Sequence, residues 1–255
     1  MLKNNIKKSN IETLIITGGN KGIGQAISKI FLENNWLVVS GSRTMSKFKN
    51  KNFKHLKMDV RFEKEHLNLF NYANKFSNNI KCFINCAGFS KWSPIEKISQ
   101  RSWNEMIDVN LKGYFWGCKV ASKKLKKDTS IINISSLAGK RGSANNSLYC
   151  ITKFGITALT QSLSKELGPK GIRVNSVCPV YIPTQGLIGA LKGKYSPSKK
   201  QNINKYFSKF TDLNSALGRL PNSIEIAQTC YFLASNYSSA ITGQNINVDC
   251  GVLPQ

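Results

Sequence analysis

Two kinds of segment alternate along this chain. Short apolar runs rich in β-branched residues are separated by longer segments in which apolar positions recur with a helical period. The short runs predict strands at ETLIIT (12–17), WLVVSG (36–41), HLKM (55–58), KCFINC (81–86), SIINIS (130–135), RVNSVC (173–178) and NINVD (245–249). The longer segments predict helices at 22–34, 63–76, 102–126, 148–167 and 223–234. The last helix follows Pro221, with Asn222 or Ser223 as its N-cap.

This alternation indicates the α/β class. The predicted strands are apolar on both faces, which is typical of a parallel sheet covered by helices on both sides. We therefore expect one doubly wound domain over residues 1–255 with about seven strands. Ligands of such sheets bind beyond the carboxyl ends of the strands.

One stretch, 180–215, does not follow the alternation. It contains prolines, glycines and many lysines, and it predicts an irregular insertion that serves as a substrate lid. A solvated, disordered loop is the alternative. Its basic and aromatic residues are Lys192, Lys194, Lys199, Lys200, Lys205, Lys209, Tyr195, Tyr206, Phe207 and Phe210.

Composition favours a soluble protein of the cytoplasm. The 255 residues are 41% hydrophobic, enough for a large core. No apolar run approaches the roughly 18 residues that cross a bilayer, and the LIIT run after the basic N-terminus is too short for a signal peptide. Seven cysteines without a C-x-x-C motif, mostly in apolar segments, predict buried thiols rather than disulfides or zinc ligands. The two histidines have no metal-ligand partner at helical spacing, so no metal site is expected.

The net charge of +24 allows two interpretations. It could attract nucleic acid, acidic lipid, phosphorylated metabolites or an acidic carrier. Lysine, asparagine and isoleucine are all abundant, however, and the basic residues are spread over the whole chain, which favours a compositional origin. The sequence has no RNA-recognition motif and no stacking pattern of aromatics, so nucleic acid is an unlikely partner.

A glycine-rich turn, TGGNKGIG, follows the first predicted strand. Gly18, Gly22 and Gly24 would let the backbone turn tightly and approach a pyrophosphate, while the following helix directs free N–H groups at it. Between a strand and a helix, this turn predicts a Rossmann-type dinucleotide site. The other residues of the turn that we expect to bind the cofactor are Asn20, Lys21 and Ile23.

The end of the second predicted strand bears on which dinucleotide binds. An acidic residue there would bind the ribose 2′-hydroxyl of NAD, but the chain has Ser40, Gly41, Ser42 and Arg43. A 2′-phosphate would be attracted by Arg43 and by Lys21. We therefore favour NADP(H), with NAD(H) as the alternative. Ser42 and Arg43 join the predicted cofactor site.

Three polar residues suggest a proton-transfer group. Tyr149 and Lys153 are four residues apart on a predicted helix and so share a face. A nearby ammonium stabilises the phenolate and would lower the pKa of Tyr149 from its ordinary value of about 10. Ser136 follows a predicted strand, where it could hold a carbonyl oxygen for Tyr149 to protonate.

Together these motifs resemble the short-chain dehydrogenase/reductase family over nearly the whole chain. The resemblance makes Ser136, Tyr149 and Lys153 the catalytic residues, with Lys153 also binding the nicotinamide ribose, and Asn110 in DVN the residue that kinks a helix and holds a relay water. It implies further cofactor contacts from MDV, NCAG and CPVYIPT, at Asp59, Val60, Asn85, Ala87, Gly88, Pro179, Ile182 and Thr184. Val180 and Cys250 depart from the family pattern, which commonly has glycine at both positions.

The resemblance implies an NAD(P)-dependent oxidoreductase, and the cofactor motifs favour NADP(H)-dependent reduction of a carbonyl. Lys91, Lys140 and Arg141 near the expected pocket suggest an anionic substrate: a sugar, a sugar phosphate or nucleotide sugar, or a carrier-linked 3-oxoacyl group. The alternatives are an NAD-dependent sugar or polyol dehydrogenase and, remotely, a basic RNA-binding protein on the same fold. The resemblance also implies a homo-oligomer, dimer or tetramer, that pairs helices 102–126 and 148–167.

Overall fold

Seven parallel strands form one sheet in the computed structural model, which describes residues 10–46 and 48–254. The strand order is β3-β2-β1-β4-β5-β6-β7, so the topology reverses between β1 and β4. The predicted α/β fold class is confirmed. The strands are β1 (Thr13–Thr17), β2 (Leu37–Ser42), β3 (Phe53–Lys57), β4 (Ile80–Asn85), β5 (Thr129–Ile134), β6 (Ile172–Pro179) and β7 (Asn245–Val248).

Helices cover both faces of the sheet. They are α1 (Gly22–Glu33), α2 (Glu63–Ala73), α3 (Gln100–Ile107), α4 (Gly113–Lys124), α5 (Ser147–Leu167), α6 (Gln185–Leu191), α7 (Ile203–Asn214) and α8 (Ser223–Ala234). On one face α1 and α8 bury Phe31 and Ile226 in a core with β1. On the other face α2, α4 and α5 bury side chains such as Leu69, Cys118 and Leu167. The central strands β1, β5 and β6 are therefore buried on both sides, whereas the edge strands β3 and β7 are only partly buried.

The helix predicted over 102–126 is divided in two. Ser99 caps α3 by accepting a hydrogen bond from the Ser102 N–H, and a π-helical turn at Asp108–Lys112 joins α3 to α4. Such a turn holds an extra residue and commonly marks a functional site. Asn110 lies within it, which agrees with the kink that the family resemblance implies.

The prediction that 180–215 is irregular is wrong, because the segment contains α6 and α7. Thr184 caps α6 by accepting from the Leu187 N–H, and Asn202 caps α7 by accepting from the backbone N–H groups at its start. Aromatic residues of α7 pack on Tyr181, where Phe210 has its ring centroid 4.9 Å from that of Tyr181. Prolines and lysines at the connections concealed two capped helices.

Other predictions concern single residues and the surface. Of the two possible N-caps of α8, Asn222 caps the helix and forms a capping box with Glu225. All seven cysteines are free thiols, and five are buried. No helix within 10–46 and 48–254 is long and apolar enough to cross a membrane. Phe115, Ile151 and Phe154 are exposed on α4 and α5, and pairing of these helices between subunits stays a prediction.

Buried His66 gives the fold a pH dependence. Its side chain is fully buried, its Nε2–H donates to the Val60 carbonyl at 2.9 Å, and its Nδ1 has no partner in the described structure. Burial lowers the pKa of His66 below its ordinary value. The unfolded chain therefore takes up a proton near pH 6.5 while the folded chain does not, so stability is lost as pH falls below about 6.5.

We expect the free energy of unfolding in urea to fall between about pH 7.5 and about pH 5.5, and to fall less in His66→Gln. His55→Gln is the matched control and should change this difference less, because His55 is only partly buried. An identical pH difference in wild type and His66→Gln would contradict the assignment.

Candidate active site

The carboxyl ends of four central strands and the start of α1 meet at one edge of the sheet. The glycine turn follows β1, Ala87 and Gly88 follow β4, Ser136 follows β5, and Pro179 ends β6. The residues that the sequence predicts for the site are therefore brought to the edge where parallel sheets bind ligands.

The glycine turn cannot carry side chains at its key positions. Gly18 and Gly22 have φ angles of 73° and 52°, in the left-handed region that favours glycine. A Cβ on Gly24 would lie 2.2 Å from the Gly18 carbonyl oxygen, and a Cβ on Gly18 would lie 3.0 Å from the Ala87 Cα. The turn thus packs directly against α1 and against the chain after β4, leaving a backbone-lined cradle.

The N-terminus of α1 is open to an anion. No side chain caps its first turn, no acidic residue lies there, and Lys21 at the N-cap position is exposed. The first N–H groups of the helix and its positive dipole end therefore face the glycine turn without a competing carboxylate. These features fit a pyrophosphate.

Thr17, which the sequence argument did not single out, closes this cradle. Its Oγ1 accepts hydrogen bonds from the N–H groups of Cys86 at 3.1 Å and Ala87 at 3.3 Å. The bonds join the chain after β4 to the end of β1. In the sequence, only its position immediately before the first glycine of the turn could have indicated this role.

The loop after β2 is fixed around the carbonyl of Thr44. That oxygen accepts from Asn20 Nδ2 and from Ser42 Oγ, each at 2.9 Å. His55, which the sequence argument did not use, stands beside the loop with its Nε2 3.4 Å from Ser42 Oγ. Asn20 and Ser42 therefore shape the loop, while Arg43 is exposed on it.

Asp59 is engaged by a residue that the sequence argument missed. Arg61 Nε lies 3.0 Å from both carboxylate oxygens, and Arg61 Nη2 lies 2.7 Å from Oδ2. The hydrogen bonds from Arg61 hold the pKa of Asp59 below its ordinary value, with burial acting in the opposite direction. Neighbouring Val60 is buried in the core with its carbonyl bound to His66. The carboxylate is thus neutralised in place, which leaves this end of the site with a net positive charge.

The side chain of Asn85 points into the core rather than toward the cofactor, where the family resemblance places it. Its side chain is buried, and Nδ2 donates to Asn133 Oδ1 at 3.0 Å and to the Tyr114 carbonyl at 3.3 Å. It therefore ties β4 to β5 and α4 beneath the edge. The motif alone did not reveal that the amide points inward.

Asn110 fixes the chain after Gly88. Its Oδ1 accepts from the Phe89 N–H at 3.0 Å, and its Nδ2 donates to the Phe89 carbonyl at 2.7 Å. The amide is fully buried. These two hydrogen bonds to the backbone of one residue hold the π-helical turn against the end of β4.

Ser136, Tyr149 and Lys153 come together, as their spacing predicts. Ser136 lies just beyond β5, where its Oγ accepts a hydrogen bond from the Ala138 N–H at 3.1 Å, and it is close enough to Tyr149 on α5 to act on the pKa of that phenol. Lys153 Nζ lies 5.6 Å from the centroid of the Tyr149 ring and donates to the Ile134 carbonyl at 2.8 Å. A phenol, a hydroxyl and an ammonium thus share the edge that also carries the glycine cradle.

The pKa of Tyr149 is raised, whereas the sequence predicts that it is lowered. Burial raises the pKa of Tyr149 to about 12, against a hydrogen bond with Ser136 that lowers it. Burial also lowers the pKa of Lys153 to about 8. The expected lowering of the phenol pKa by Lys153 is absent in the protein alone, because desolvation of the phenolate outweighs it and the ammonium is bound to Ile134.

The surface beside Ser136 is apolar and is covered by α7. Leu137, Cys178 and Val252 form a buried cluster against which further apolar residues pack, namely Val180, Phe210 and Leu253. Tyr206 donates its hydroxyl hydrogen to the Tyr181 hydroxyl oxygen at 3.1 Å. Arg141 is close enough to Tyr181 to act on its pKa, although burial of the phenol dominates and raises it.

Ile182 and Thr184 lie on the opposite side of the cradle. Ile182 is buried, and a Cβ on Gly22 would lie 3.5 Å from Thr184 Cγ2. The chain after β6 therefore faces the glycine turn, so that the two segments enclose the space between them.

Comparison with known proteins identifies the family. A family model described as enoyl-(acyl carrier protein) reductase matches residues 18–253. The 3-oxoacyl-[acyl-carrier-protein] reductase of Chlamydia trachomatis serovar D is 32% identical, over 94% of this chain and 97% of the relative.

Solved structures agree. The ligand-free aldohexose dehydrogenase of Thermoplasma acidophilum has a TM-score of 0.86 at 29% identity, covering 96% of this chain and 98% of its own. ElxO with NADP bound has a TM-score of 0.85 at 28% identity, covering 96% of this chain and 100% of its own. With the strand order, the glycine cradle and the Ser136, Tyr149 and Lys153 cluster, these matches show that the chain belongs to the short-chain dehydrogenase/reductase family of NAD(P)-dependent oxidoreductases.

Proposed function

We propose that this protein is an NADP(H)-dependent reductase of a carbonyl compound, with Ser136, Tyr149 and Lys153 as its catalytic residues and Asn110 in support. The observation that carries the proposal is the grouping of three side chains. Ser136 is close enough to Tyr149 to act on the pKa of its phenol, and the buried Lys153 ammonium lies 5.6 Å from the centroid of the Tyr149 ring. That group shares a sheet edge with a backbone cradle that fits a pyrophosphate.

The cofactor would lie along this edge. Gly18, Gly22 and the start of α1 would hold the pyrophosphate, and Ile182 and Thr184 would flank the nicotinamide. Arg43 and Lys21, both exposed, would attract a 2′-phosphate, since Asp59 is already neutralised by Arg61. When bound, the reduced nicotinamide supplies the hydride.

The chain's own residues supply the proton. The Ser136 hydroxyl donates a hydrogen bond to the carbonyl oxygen and holds it beside Tyr149. The phenol, with its pKa near 12, keeps its proton at neutral pH and is therefore ready to give it to that oxygen. Lys153 then stabilises the phenolate that remains, because opposite charges attract strongly where water is excluded.

The surroundings of Ser136 support a substrate with an apolar carbon chain and an anionic end, because Lys140 and Arg141 lie close enough to the apolar wall to act on the pKa values of Cys178 and Tyr181. The wall formed by Leu137, Val180 and Phe210 offers apolar contacts. The Tyr206 hydroxyl donates its proton to the Tyr181 oxygen, so that proton is not available to a sugar hydroxyl. A 3-oxoacyl group on an acidic carrier combines both features, and it is the substrate that we propose.

Replacing the phenol tests the mechanism. We expect Tyr149→Phe to lower kcat at least about a hundredfold, because it removes the proton donor. Its Kd for NADPH, measured by fluorescence titration, should stay within about threefold of wild type. Tyr237→Phe, at an exposed tyrosine, is the control and should match wild type. Turnover near the wild-type rate in Tyr149→Phe would show that another group supplies the proton.

The cofactor preference depends on Arg43. We expect Arg43→Ala to weaken NADPH binding about tenfold or more and to leave NADH binding unchanged, since only the former has a 2′-phosphate. Arg101→Ala, at an exposed arginine on α3, serves as the control. Tighter binding of NADH than of NADPH by the wild type, or an equal loss for both cofactors, would favour the NAD-dependent alternative.

A substrate panel separates the candidate classes. We expect kcat/KM to be highest for 3-oxoacyl thioesters and to exceed that for aldohexoses, with NADPH oxidation or NADP reduction followed by absorbance. A thioester on an acidic carrier should exceed its neutral small-thiol counterpart at low salt, and added salt should reduce this advantage. Faster oxidation of an aldohexose or polyol than reduction of any 3-oxoacyl thioester would overturn the substrate proposal.

A further inference from the structure

The ammonium of Lys153 is buried without an acidic partner. Its side chain belongs to a residue that is only 4% exposed. Of the ion pairs within residues 10–46 and 48–254, none includes Lys153. A buried charge is costly unless other groups replace its hydration. The groups around Nζ must therefore do so.

Tyr114 is the closest such group from another helix. It lies in the first turn of α4, directly after the π-helical turn, and is 2% exposed. The centroid of its ring is 5.2 Å from Lys153 Nζ. Its hydroxyl donates to the Ile134 carbonyl at 3.0 Å, the same oxygen that accepts from Lys153 at 2.8 Å.

These two contacts reinforce each other. A carbonyl oxygen has two lone pairs and can accept from both donors. The hydroxyl anchors the Tyr114 ring to that oxygen, so the ring is held at a fixed position relative to the ammonium. A cation within about 6 Å of an aromatic centroid is attracted by the negative face of the ring, and more strongly where water is excluded.

Among the residues that the structure describes, the other groups facing Lys153 carry no charge that could replace this contact. Tyr149 faces it from the same helix, and Cys86 and Cys178 face it from the ends of β4 and β6. Burial raises the pKa of both thiols, so they are neutral at physiological pH. Burial also raises the pKa of Tyr114, which therefore remains a neutral hydrogen-bond donor.

We propose that Tyr114 is a positioning residue of the catalytic site, whose ring face and Ile134-bound hydroxyl hold the Lys153 ammonium in place and keep it charged beside Tyr149. The inference rests on the proposed function for its effect on turnover. Its effect on Lys153 itself can be measured without any turnover.

The sign of the effect follows from the contacts. Burial already lowers the pKa of Lys153 to about 8, and attraction to the ring opposes this. Removing the ring should therefore lower the pKa of Lys153 further, so that the amine loses its proton at a lower pH. Removing only the hydroxyl takes away the anchor at Ile134 but leaves the ring, which core packing still holds, and should therefore change the pKa of Lys153 much less.

The test is competitive labelling of Lys153 with acetic anhydride in the cofactor-free full-length protein, quantified by mass spectrometry across pH. We expect the midpoint for Tyr114→Leu to lie about one pH unit below wild type, a tenfold change in the ratio of ammonium to amine. Tyr114→Phe should stay within about 0.3 unit. Phe83→Leu, at another fully buried ring, controls for the loss of a core aromatic.

A second comparison avoids a change of shape. The two variants compared have phenylalanine or 3,4,5-trifluorophenylalanine in place of Tyr114. Their rings have similar volumes, but fluorine withdraws electron density and weakens the negative ring face. We expect the fluorinated variant to have the lower labelling midpoint. The basic limb of the pH profile of kcat/KM should move in the same direction, because that profile reports the free enzyme.

The outcomes are distinguishable. Equal midpoints in wild type, Tyr114→Leu and the fluorinated variant would overturn the inference, whatever their activities. A midpoint shift as large in Phe83→Leu as in Tyr114→Leu would also overturn it, since any loss of packing would then suffice. Shifted midpoints with full activity in Tyr149→Phe would support the role of Tyr114 and reject the proposed function instead.

Discussion

The sheet edge that carries Ser136, Tyr149 and Lys153 depends on one buried ammonium bound to the last carbonyl of a strand. Lys153 donates to the oxygen of Ile134, where β5 ends. Two contacts with the Lys153 carbonyl show how closely α5 approaches. Ser135 Oγ donates a hydrogen bond to this oxygen at 3.1 Å, and a Cβ on Gly139 would lie only 2.6 Å from it. The close approach of α5 to the end of β5 therefore fixes Tyr149 and Ser136 relative to each other, because both belong to the segments that it joins.

A parallel sheet explains why distant residues form one site. The carboxyl ends of β1, β4, β5 and β6 lie side by side, so chain segments separated by many residues share a single edge. Side chains below that edge hold the strands in register: Thr17 binds the chain after β4, and Asn85 and Asn133 bind β4 to β5. The exposed residues above it are then free to contact ligands. Whether a residue at this edge joins two strands or can contact a ligand is therefore decided by the direction in which its side chain points.

Local patterns predicted the parts of the site that depend on chain order. The glycine turn follows from its place between strand and helix. Helical spacing put Tyr149 and Lys153 on one face, and the position of Ser136 after a strand put it at the same edge of the sheet. Three-dimensional burial could not be derived in this way. It turned Asn85 inward, and it raised the pKa of Tyr149 where a neighbouring ammonium alone would lower it. Tyr114 and Arg61 were missed because the sequence does not show which side chains the tertiary structure brings to the atoms that they bind, the Ile134 carbonyl at the end of β5 and the Asp59 carboxylate in the connection after β3.

In the proposed mechanism, the protonation states of Tyr149 and Lys153 in the free protein suit donation of a proton to the substrate. A phenol with a pKa near 12 holds its proton at neutral pH, so in the protein alone Tyr149 is prepared to act as an acid. Acting as a base would first require the phenolate, at a cost of about 1.4 kcal/mol for each pH unit below that pKa. Lys153 recovers part of this cost only while it is charged, and its pKa near 8 leaves it mostly charged at neutral pH. In the proposed mechanism, reduction therefore starts from the protonation state that Tyr149 already has in the free protein, whereas oxidation first requires loss of the phenol proton.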